Sequence, residues 1–355
     1  MSSIKSTIDH KCPACNAKLT FKPETQNWVC EYCDSKFTLE DLKKNEKKYK
    51  DKVVEEEAQD QGEYNMYKCP DCGAEIVTDL NTTATFCVYC KNTSIIKERL
   101  IGKFEPKYII PFQNVEKDAI SAFKKVGRKH PLMPSSFTNK KNISEIKGIY
   151  IPFWLLSATA MAKVNKTGKK IKTWSSGNYT YTKTDVYDVY REGEIDFKHV
   201  PCDGSKKFDD AIMNSIEPFD YSKLKEFNPA YLSGFLSEKY DLTSEEIENV
   251  ITKRVANTTD KIISNDIKGY SSLTTNSIDL NYRDKEVNYV LLPVWLLNIK
   301  YKDKMYTFAM NGETGKMIGN LPVDGKKTIL LSIIIYIISY LIMLGIFYLF
   351  IKSNV

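Results

Sequence analysis

The sequence lacks the common marks of secretion and of catalysis. Residues 1–11 (MSSIKSTIDHK) contain no apolar run of the kind that forms the centre of a signal peptide. The three histidines, His10, His130 and His199, are scattered, and none stands in a metal-binding or catalytic-triad pattern. No G-x-x-x-x-G-K-[ST] phosphate-binding loop and no paired catalytic carboxylates stand out. We therefore expect a chain that is not exported and is not an enzyme.

A strong excess of one charge is also missing. The 355 residues carry 51 basic and 45 acidic side chains, which gives a net charge of +6. So small an excess does not by itself indicate nucleic-acid binding, and a cationic surface near anionic lipid headgroups explains it equally well. The chain has an ordinary apolar content of 42%. Its length of 355 residues is sufficient for the cores of more than one domain.

Cysteine is nearly absent after residue 90 but abundant before it. Eight of the nine cysteines form four C-x-x-C pairs, and the ninth, Cys202, stands alone. The pairs are Cys12 and Cys15, Cys30 and Cys33, Cys69 and Cys72, and Cys87 and Cys90. A spacer of 14 residues separates the first pair from the second and the third from the fourth, and the pattern repeats after 57 residues.

These two sets predict two zinc ribbons, over residues 9–38 and 67–98. Zn²⁺ prefers four soft ligands in a tetrahedron, and the spacer suits a hairpin that brings two cysteine turns together. Four thiolates leave no open coordination position, so we expect two structural Zn²⁺ ions. Redox chemistry by isolated C-x-x-C motifs and iron in place of zinc are the alternatives. Val29 and Phe86 are predicted to form the small ribbon cores.

Between and after the ribbons the composition changes twice. Residues 39–66 are highly charged and predict a solvated helix or a flexible tether. Residues 104–322 are richer in aromatic and β-branched side chains and predict a mixed α+β body. Within it, residues 115–126 have helical spacing, residues 171–198 alternate as in a β-hairpin, and residues 311–315 (NGETG) predict a turn.

A second helix is predicted after a potential capping box formed by Thr243 and Glu246. Its predicted apolar stripe consists of Ile247, Val250, Ile251, Val255 and Ile262. His199 lies three residues before Cys202, which would suit a base and a nucleophile. We favour the simpler interpretation that both are ordinary strand residues.

One motif of the body occurs twice. Residues 151–156 (IPFWLL) and 292–297 (LPVWLL) are near copies, 141 residues apart. We expect two similar α+β halves that each contribute one such strand. The proline in each motif predicts an edge strand or the entry to a strand. Trp154 and Trp295 are predicted to pack in the core, and a platform for a ligand or for the membrane interface is the alternative.

The longest apolar run lies near the C-terminus. Residues 329–351 contain no charged side chain and, at about 1.5 Å per residue, span about 34 Å, enough for one transmembrane helix. We expect a tail-anchored, single-pass protein of the cell membrane. Lys326 and Lys327 precede the run and Lys352 follows it, so the positive-inside rule predicts cytoplasmic N-terminal domains. Reduced zinc thiolates require the same side.

Several body motifs, together with the cysteine pairs, resemble a bacterial group of double zinc-ribbon membrane proteins. The motifs are residues 151–156, 200–205 (VPCDGS), 216–221 (IEPFDY), 230–235 (AYLSGF), 240–242 (YDL), 292–297 and 311–316 (NGETGK). The group is often labelled transcription factor IIB-type zinc ribbon or primosomal helicase-like. The helicase label does not fit this chain, because the nucleotide-binding loop is missing. The resemblance covers nearly the whole chain and implies association with SPFH-domain or phage-shock protein A-like partners in envelope stress.

Three functional hypotheses follow. The first is a membrane-anchored cytoplasmic adaptor or scaffold that docks protein partners, in an envelope-stress or SPFH-type complex. The second is a membrane-tethered module that binds nucleic acid, since zinc ribbons and lysine-rich surfaces do so. The third is an enzyme with a pocket between the two body halves. We favour the first, because no catalytic pattern is present and the resemblance points to complex assembly.

Overall fold

The computed structural model describes residues 12–15, 17, 19–50, 65–69, 73–78, 96–98, 106–206, 210–302 and 304–353. These residues form fourteen β-strands and five α-helices, and strands predominate. The prediction of a mixed α+β protein with an apolar C-terminal helix is thus confirmed.

A small three-stranded sheet forms the N-terminal unit. Its strands are β1 (Leu19–Lys22), β2 (Asn27–Cys30) and β3 (Lys36–Phe37), in the order β1-β2-β3. Leu19, Phe21 and Trp28 are buried, whereas Val29 is only partly buried. Because side chains alternate along a strand, Trp28 and Cys30 share the inner face of β2 and Val29 points away from it. The prediction that Val29 forms the ribbon core is therefore wrong.

Helix α1 (Leu39–Lys50) covers the first part of the charged segment. Thr38 and Asp41 form reciprocal capping hydrogen bonds at its start. The Thr38 backbone N–H donates to Asp41 Oδ2 at 3.0 Å, and the Asp41 backbone N–H donates to Thr38 Oγ1 at 3.3 Å. This part of the predicted linker is helical, and residues 51–64 lie outside the described residues.

An eleven-stranded mixed sheet forms the body. Its strands are β4 (Asn65–Lys68), β5 (Glu75–Thr78), β6 (Ile96–Glu98), β7 (Tyr108–Ile109), β8 (Ile143–Ser176), β9 (Tyr179–Asp203), β10 (Lys225–Glu226), β11 (Leu236–Glu238), β12 (Ser272–Tyr301), β13 (Lys304–Asn311) and β14 (Met317–Gly319). The main path runs β10-β7-β12-β8-β11-β5-β4-β6, and β9 pairs with β8 while β13 pairs with β12 and β14. The remaining helices are α2 (Glu116–Lys129), α3 (Asp210–Ile216), α4 (Glu248–Asp266) and α5 (Gly325–Ser353).

The two near-copy motifs lie side by side on the central strands β8 and β12. The strands run antiparallel, with Pro152 opposite Leu291 and Pro293 opposite Tyr150. The expectation of an edge strand is therefore wrong. It rested on the rule that proline cannot donate to a hydrogen-bond ladder.

Each proline occupies a gap between two successive neighbours of its strand. At Pro152 the neighbour of β8 changes from β11 to β9, and at Pro293 the neighbour of β12 changes from β7 to β13. The carbonyl of Pro152 accepts from the Gly204 N–H at 2.9 Å, and that of Pro293 accepts from the Gly312 N–H at 2.8 Å. Because no ladder donor is needed in these gaps, a central strand tolerates proline.

The body core covers both faces of the central strands. On β12, Leu291, Trp295 and Leu297 belong to one buried cluster, which also contains Phe112 and Phe308. The alternate residues belong to a second cluster, namely Val290, Leu292, Val294 and Leu296. A strand buried on both faces requires a continuous apolar sequence, which is what the repeated motif supplies.

Strands β8, β9 and β12 continue beyond the body as a three-stranded arm. Its hairpin end pairs Ser176 with Tyr179, and Gly177 turns the chain with a φ of 60°. The 34 residues of β8 correspond to about 110 Å of strand. The hairpin predicted over residues 171–198 is present, as the outer part of this longer arm.

Helix α4 lies on the base of the arm, and the predicted pair of Thr243 and Glu246 forms its reciprocal hydrogen bonds in the turn before the helix, whose N-cap is Ile247. The Thr243 N–H donates to Glu246 Oε2 at 2.8 Å, and the Glu246 N–H donates to Thr243 Oγ1 at 3.4 Å. Of the predicted stripe, Ile247, Ile251 and Val255 are buried, but Val250 and Ile262 are 49% and 46% exposed. The buried stripe is narrower than predicted because α4 packs against the arm on one side only.

Candidate metal centre

Four cysteines of the N-terminal unit form one cluster. The Sγ atoms of Cys12 and Cys33 are 3.5 Å apart, and that of Cys15 lies 3.4 Å from those of Cys30 and Cys33. All four sulfurs lie within 4.8 Å of one another. Four ligands about 2.3 Å from a central Zn²⁺ would be about 3.8 Å apart. The cluster could therefore bind one metal ion through four thiolates.

Two short turns present these sulfurs. The Cys12 N–H donates to the Ala17 carbonyl at 2.8 Å, and the Cys30 N–H donates to the Ser35 carbonyl at 3.0 Å. In the second turn Asp34 has a φ of 56°, a left-handed conformation that aspartate tolerates better than most residues, and its N–H donates to the Cys30 carbonyl. The hairpin of β1 and β2 brings the two turns together, as the 14-residue spacer predicts.

The four thiols do not share one environment. Cys12 and Cys30 are buried, Cys15 is half-buried and Cys33 is exposed. The Ser35 hydroxyl, followed by the Ser35 backbone N–H and Cys15, lowers the pKa of Cys33 to about 6. A hydrogen bond from the Ala17 backbone lowers the pKa of Cys15, but burial and the three neighbouring thiols outweigh it and raise the pKa. One thiolate thus opposes ionisation of its neighbours, and a divalent cation would neutralise this repulsion.

The cysteine unit is packed against the body. The Trp28 indole Nε1–H donates to the Ala230 carbonyl at 2.8 Å, and the Tyr231 ring lies 5.2 Å from the Trp28 ring and 5.5 Å from the Phe21 ring. Gln26 Nε2 donates to the Phe112 carbonyl at 2.8 Å. The cysteine spacing does not predict this interface. Its signal was the alternation of Phe21 and Trp28 on a hairpin too small to bury either ring alone.

The second cysteine set is described only at its first member. The Cys69 N–H donates to the Ala74 carbonyl and the Gly73 N–H donates to the Cys69 carbonyl, both at 2.9 Å, with Gly73 at a φ of 69°. These are the same two hydrogen bonds as in the Cys30 turn. The other predicted ligands, Cys72, Cys87 and Cys90, lie outside the described residues, as does Phe86. Strand β5 after this turn pairs with β11 of the body.

His199 and Cys202 belong to different surroundings. The His199 ring contacts Tyr221 at 5.5 Å between ring centroids. Cys202 is buried in the cluster under α4, with Ile247 and Ile251. These surroundings favour the interpretation of both as ordinary strand residues. His10 lies outside the described residues, and His130 lines a basic cleft near α5.

Two acids of the body, Glu217 and Glu313, are engaged in ion pairs. Burial raises the pKa of Glu217, while Arg254, 3.3 Å away, opposes the shift. Glu313 pairs with Lys223 at 2.5 Å. The first pair connects the segment after α3 to α4, and the second connects the same segment to the turn between β13 and β14. The two pairs therefore hold these three segments together.

The two repeated tryptophans have packing roles. The Trp154 indole Nε1–H donates to the Leu242 carbonyl at 2.9 Å, and the Trp295 indole Nε1–H donates to the Asn114 carbonyl at 3.1 Å. Trp295 is 7% exposed and Trp154 is half-buried. Each indole therefore fixes the residues that precede a helix.

The fold and the site define a mixed α+β protein with a four-cysteine centre capable of binding a metal ion and an apolar C-terminal helix. No family model and no solved structure matches the chain. The chain is similar to the uncharacterized protein YdjG of Bacillus subtilis (strain 168), with 34% identity over 322 residues, or 90% of this chain and 92% of YdjG. The chain belongs to the YdjG family.

Proposed function

We propose that this protein is a membrane-anchored, zinc-stabilised adaptor that docks protein partners at the cytoplasmic face of the cell membrane. The observation that carries the proposal is that α5 is long, apolar and not covered by the body. Its residues Gly325–Ile346 are long and apolar enough to cross a bilayer, and none of them is buried by the body. An apolar surface of this length needs an apolar surrounding, and lipid supplies it. No catalytic reaction is part of this proposal.

Anchoring is tested by extraction of membranes that contain the full chain. We expect the protein to stay in the pellet after alkaline carbonate and to enter solution only with detergent. A variant that ends before Gly325 should be released by buffer alone. Release of the full chain by carbonate would contradict the membrane proposal.

The metal part of the proposal is two Zn²⁺ ions in structural sites. Four thiolates suit zinc and leave no position for a substrate. The turn at Cys69 makes the same hydrogen bonds as the turn at Cys30, which supports a second site of the same kind. Each ion would contribute about 10 kcal/mol or more to folding of its ribbon.

Metal content per chain checks this assignment. Elemental analysis of the purified protein should give two zinc atoms, and one after the double change Cys12→Ser with Cys15→Ser. Cys202→Ser is the matched control and should keep both ions, because Cys202 lies under α4. Iron in place of zinc, or no retained metal, would contradict the assignment.

The proposed orientation places the N-terminal regions in the cytoplasm. Lys326 and Lys327 lie at the start of the span, ahead of its uncharged run, and zinc thiolates persist in a reducing compartment. Reporter fusions at either end test this. An N-terminal reporter that is active only outside the cytoplasm would contradict it.

We also infer that the body consists of two similar halves, beginning with a hydrogen-bond chain around β8. The Pro152 carbonyl accepts from the Gly204 N–H, and the Gly204 carbonyl accepts from the N–H groups of Asp241 and Leu242. The Leu242 carbonyl in turn accepts from the Trp154 indole. Helix α4 starts shortly after.

The chain of contacts around β12 has the same order. The Pro293 carbonyl accepts from the Gly312 N–H, and the Gly312 carbonyl accepts from the N–H groups of Gln113 and Asn114. The Asn114 carbonyl accepts from the Trp295 indole, and α2 follows. Because α2 precedes β8 in sequence, yet the residue before α2 accepts its hydrogen bond from Trp295 of β12, the inferred halves exchange the starts of their helices.

The proposed partner is an SPFH-domain or phage-shock protein A-like protein, as the resemblance of the sequence implies. Affinity purification of the full chain from detergent-solubilised membranes, followed by mass spectrometry, tests this. Enrichment of such a partner supports the adaptor. Enrichment of polymerase or primosome subunits would contradict it and favour the second candidate.

A membrane-tethered nucleic-acid-binding protein is the second candidate, and the outer arm is the observation that favours it. The Trp174 and Tyr181 rings stack at 5.7 Å, and Lys170 lies over the Tyr187 ring at 5.2 Å. Exposed aromatic rings between lysines suit stacked bases and phosphates. DNA affinity that falls steeply with salt, and that falls with Trp174→Ala, would favour this candidate. No binding at low salt would exclude it.

A further inference from the structure

A basic cleft lies where α5 leaves the body. Its volume is about 410 Å³, and the side chains that line it include Lys124, Arg128, His130, Ser135 and Lys327. None of the described residues that line it is acidic. A concave surface with this composition attracts a compact anion and offers it several hydrogen-bond donors.

Two elements supply the charges from different directions. Lys124 and Arg128 are four residues apart on α2 and therefore share one face of the helix. Lys327 comes from the first turn of α5. Its Nζ donates to the Met133 carbonyl at 2.7 Å and to Ser135 Oγ at 2.9 Å. An ammonium group has three N–H donors, so Lys327 is held in place and keeps one donor for a ligand.

The floor of the cleft is rigid. A Cβ on Gly127 would lie 2.6 Å from Thr138 Cγ2, so glycine lets α2 approach the loop after it. Phe137 of that loop is fully buried, with ring contacts of 5.7 Å to Phe123 and 5.2 Å to Tyr306. The basic side chains therefore project from a well-packed surface formed by α2 and the loop after it.

The position of Lys327 sets the level of the cleft relative to the membrane. It stands next to Thr328 and the apolar run that follows, at the beginning of the candidate span Gly325–Ile346. When α5 crosses a bilayer, a lysine at this boundary lies at the level of the lipid headgroups. The cleft that shares this lysine then faces lipid phosphates, whose local concentration far exceeds that of phosphate in solution.

We propose that this cleft binds the phosphate of an anionic lipid headgroup. The inference rests on the proposed membrane anchoring and adds to it a specific lipid contact. Arg128 suits two-point contact with phosphate oxygens, and Lys124 and Lys327 neutralise the charge from either side. Basic pockets beside membrane helices recognise anionic lipids by this chemistry.

The test compares lipids retained by the full chain in detergent. The purified protein is mixed with equal amounts of phosphatidylglycerol and phosphatidylcholine, and bound lipid is counted by native mass spectrometry. We expect a preference for phosphatidylglycerol of about tenfold, which corresponds to about 1.4 kcal/mol. The double change Lys124→Gln with Arg128→Gln should remove this preference.

A matched control lies on the same helix. Lys125 and Lys129 are exposed and do not line the cleft, so Lys125→Gln with Lys129→Gln removes the same charge elsewhere. Equal loss of preference in both double variants would overturn the proposal, since it would indicate general surface charge. Thermal unfolding of the variants checks that all are folded.

Two further results separate the possible failures. If millimolar inorganic phosphate displaces phosphatidylglycerol completely, the ligand is free phosphate and the lipid proposal is overturned. If phosphatidylcholine is retained equally by a carbonate-resistant protein, the cleft proposal fails while membrane anchoring stands. Release of the chain by carbonate would instead remove the membrane function itself.

Discussion

The same strands behave differently in the body and in the arm. From residue 289 to 299, β12 is buried at every position and reads YVLLPVWLLNI. From residue 272 to 287 it reads SLTTNSIDLNYRDKEV, and burial alternates or is absent. In the body, clusters cover both faces, whereas α4 covers only part of one face of the arm. What lies against a strand, more than the strand itself, therefore sets its composition.

The difference has a chemical consequence at the boundary. Lys166 lies in the arm with its side chain 1% exposed. Its Nζ donates to Asp260 Oδ1 at 2.5 Å, to Thr275 Oγ1 at 2.6 Å and to Ser264 Oγ at 2.8 Å. Three acceptors satisfy all three N–H groups, so a charged residue joins α4 to the arm where the body would use an apolar one.

The largest contrast is expected from removing one aromatic ring in each region. Phe308→Ala empties a fully buried site between Phe123 and Phe137 and should cost about 3–5 kcal/mol of unfolding free energy. Tyr181→Ala in the outer arm should change it by less than about 0.5 kcal/mol, since that ring is 46% exposed. Denaturant unfolding of the full chain in detergent measures both. Similar losses would mean that the arm is covered by something in solution.

Breaking the buried ion pair should have the next largest effect. Lys166→Met leaves the Asp260 carboxylate without its cation and should cost about 3 kcal/mol. Lys163→Met, on the exposed face of the same strand, is the control and should be near neutral. In the double variant with Asp260→Leu, part of the loss should return. Additive losses would show that the pair contributes no specific coupling.

Smaller effects are expected when each indole is replaced. Trp154→Phe and Trp295→Phe remove one hydrogen bond to a backbone carbonyl and should each cost about 1–2 kcal/mol. Hydrogen exchange should become faster at the start of α4 for Trp154→Phe and at the start of α2 for Trp295→Phe. If both changes loosen the same helix, the inferred exchange of helices between halves is wrong.

The smallest effect is a local dependence on acid. Burial raises the pKa of Asp260, but hydrogen bonds from Lys166 and Thr275 outweigh it and hold the pKa below its usual range. Because the pKa of Asp260 is lower in the folded state than the unfolded value of about 3.9, the ionised carboxylate stabilises the folded protein above about pH 3.9. This stabilisation is lost as the pH falls below that value. Protection of α4 amides should therefore fall below about pH 4. In Asp260→Asn this step should be absent, and its persistence there would assign it to another acid.

The sequence predicted the parts of the site that depend on local spacing. Two cysteines three positions apart form a turn with both sulfurs on one side, whatever surrounds them. The 14-residue spacer likewise allows only a short hairpin, so Cys12, Cys15, Cys30 and Cys33 meet as predicted. The reciprocal hydrogen bonds of Thr243 and Glu246 in the turn before α4 are equally local.

Strand positions and burial that depend on residues distant in sequence differ from the sequence-based expectations. The strand position of Pro152 and Pro293 depends on where β9, β11, β7 and β13 begin and end, which no local pattern encodes. That Trp28 and not Val29 faces inward depends on the body, because the Trp28 indole donates a hydrogen bond to the Ala230 carbonyl. The exposure of Val250 and Ile262 follows from the flat face that the arm presents to α4.

Composition and spacing alone establish the cysteine turns, the apolar helix near the C-terminus and the mixed α+β class, because each arises from forces acting within a few residues or from overall hydrophobicity. The packing of Trp28 on the body, the three bonds of Lys166 and the cleft that joins α2 to Lys327 require residues far apart in sequence to meet. These long-range contacts form only when the whole chain folds and buries its apolar surface cooperatively.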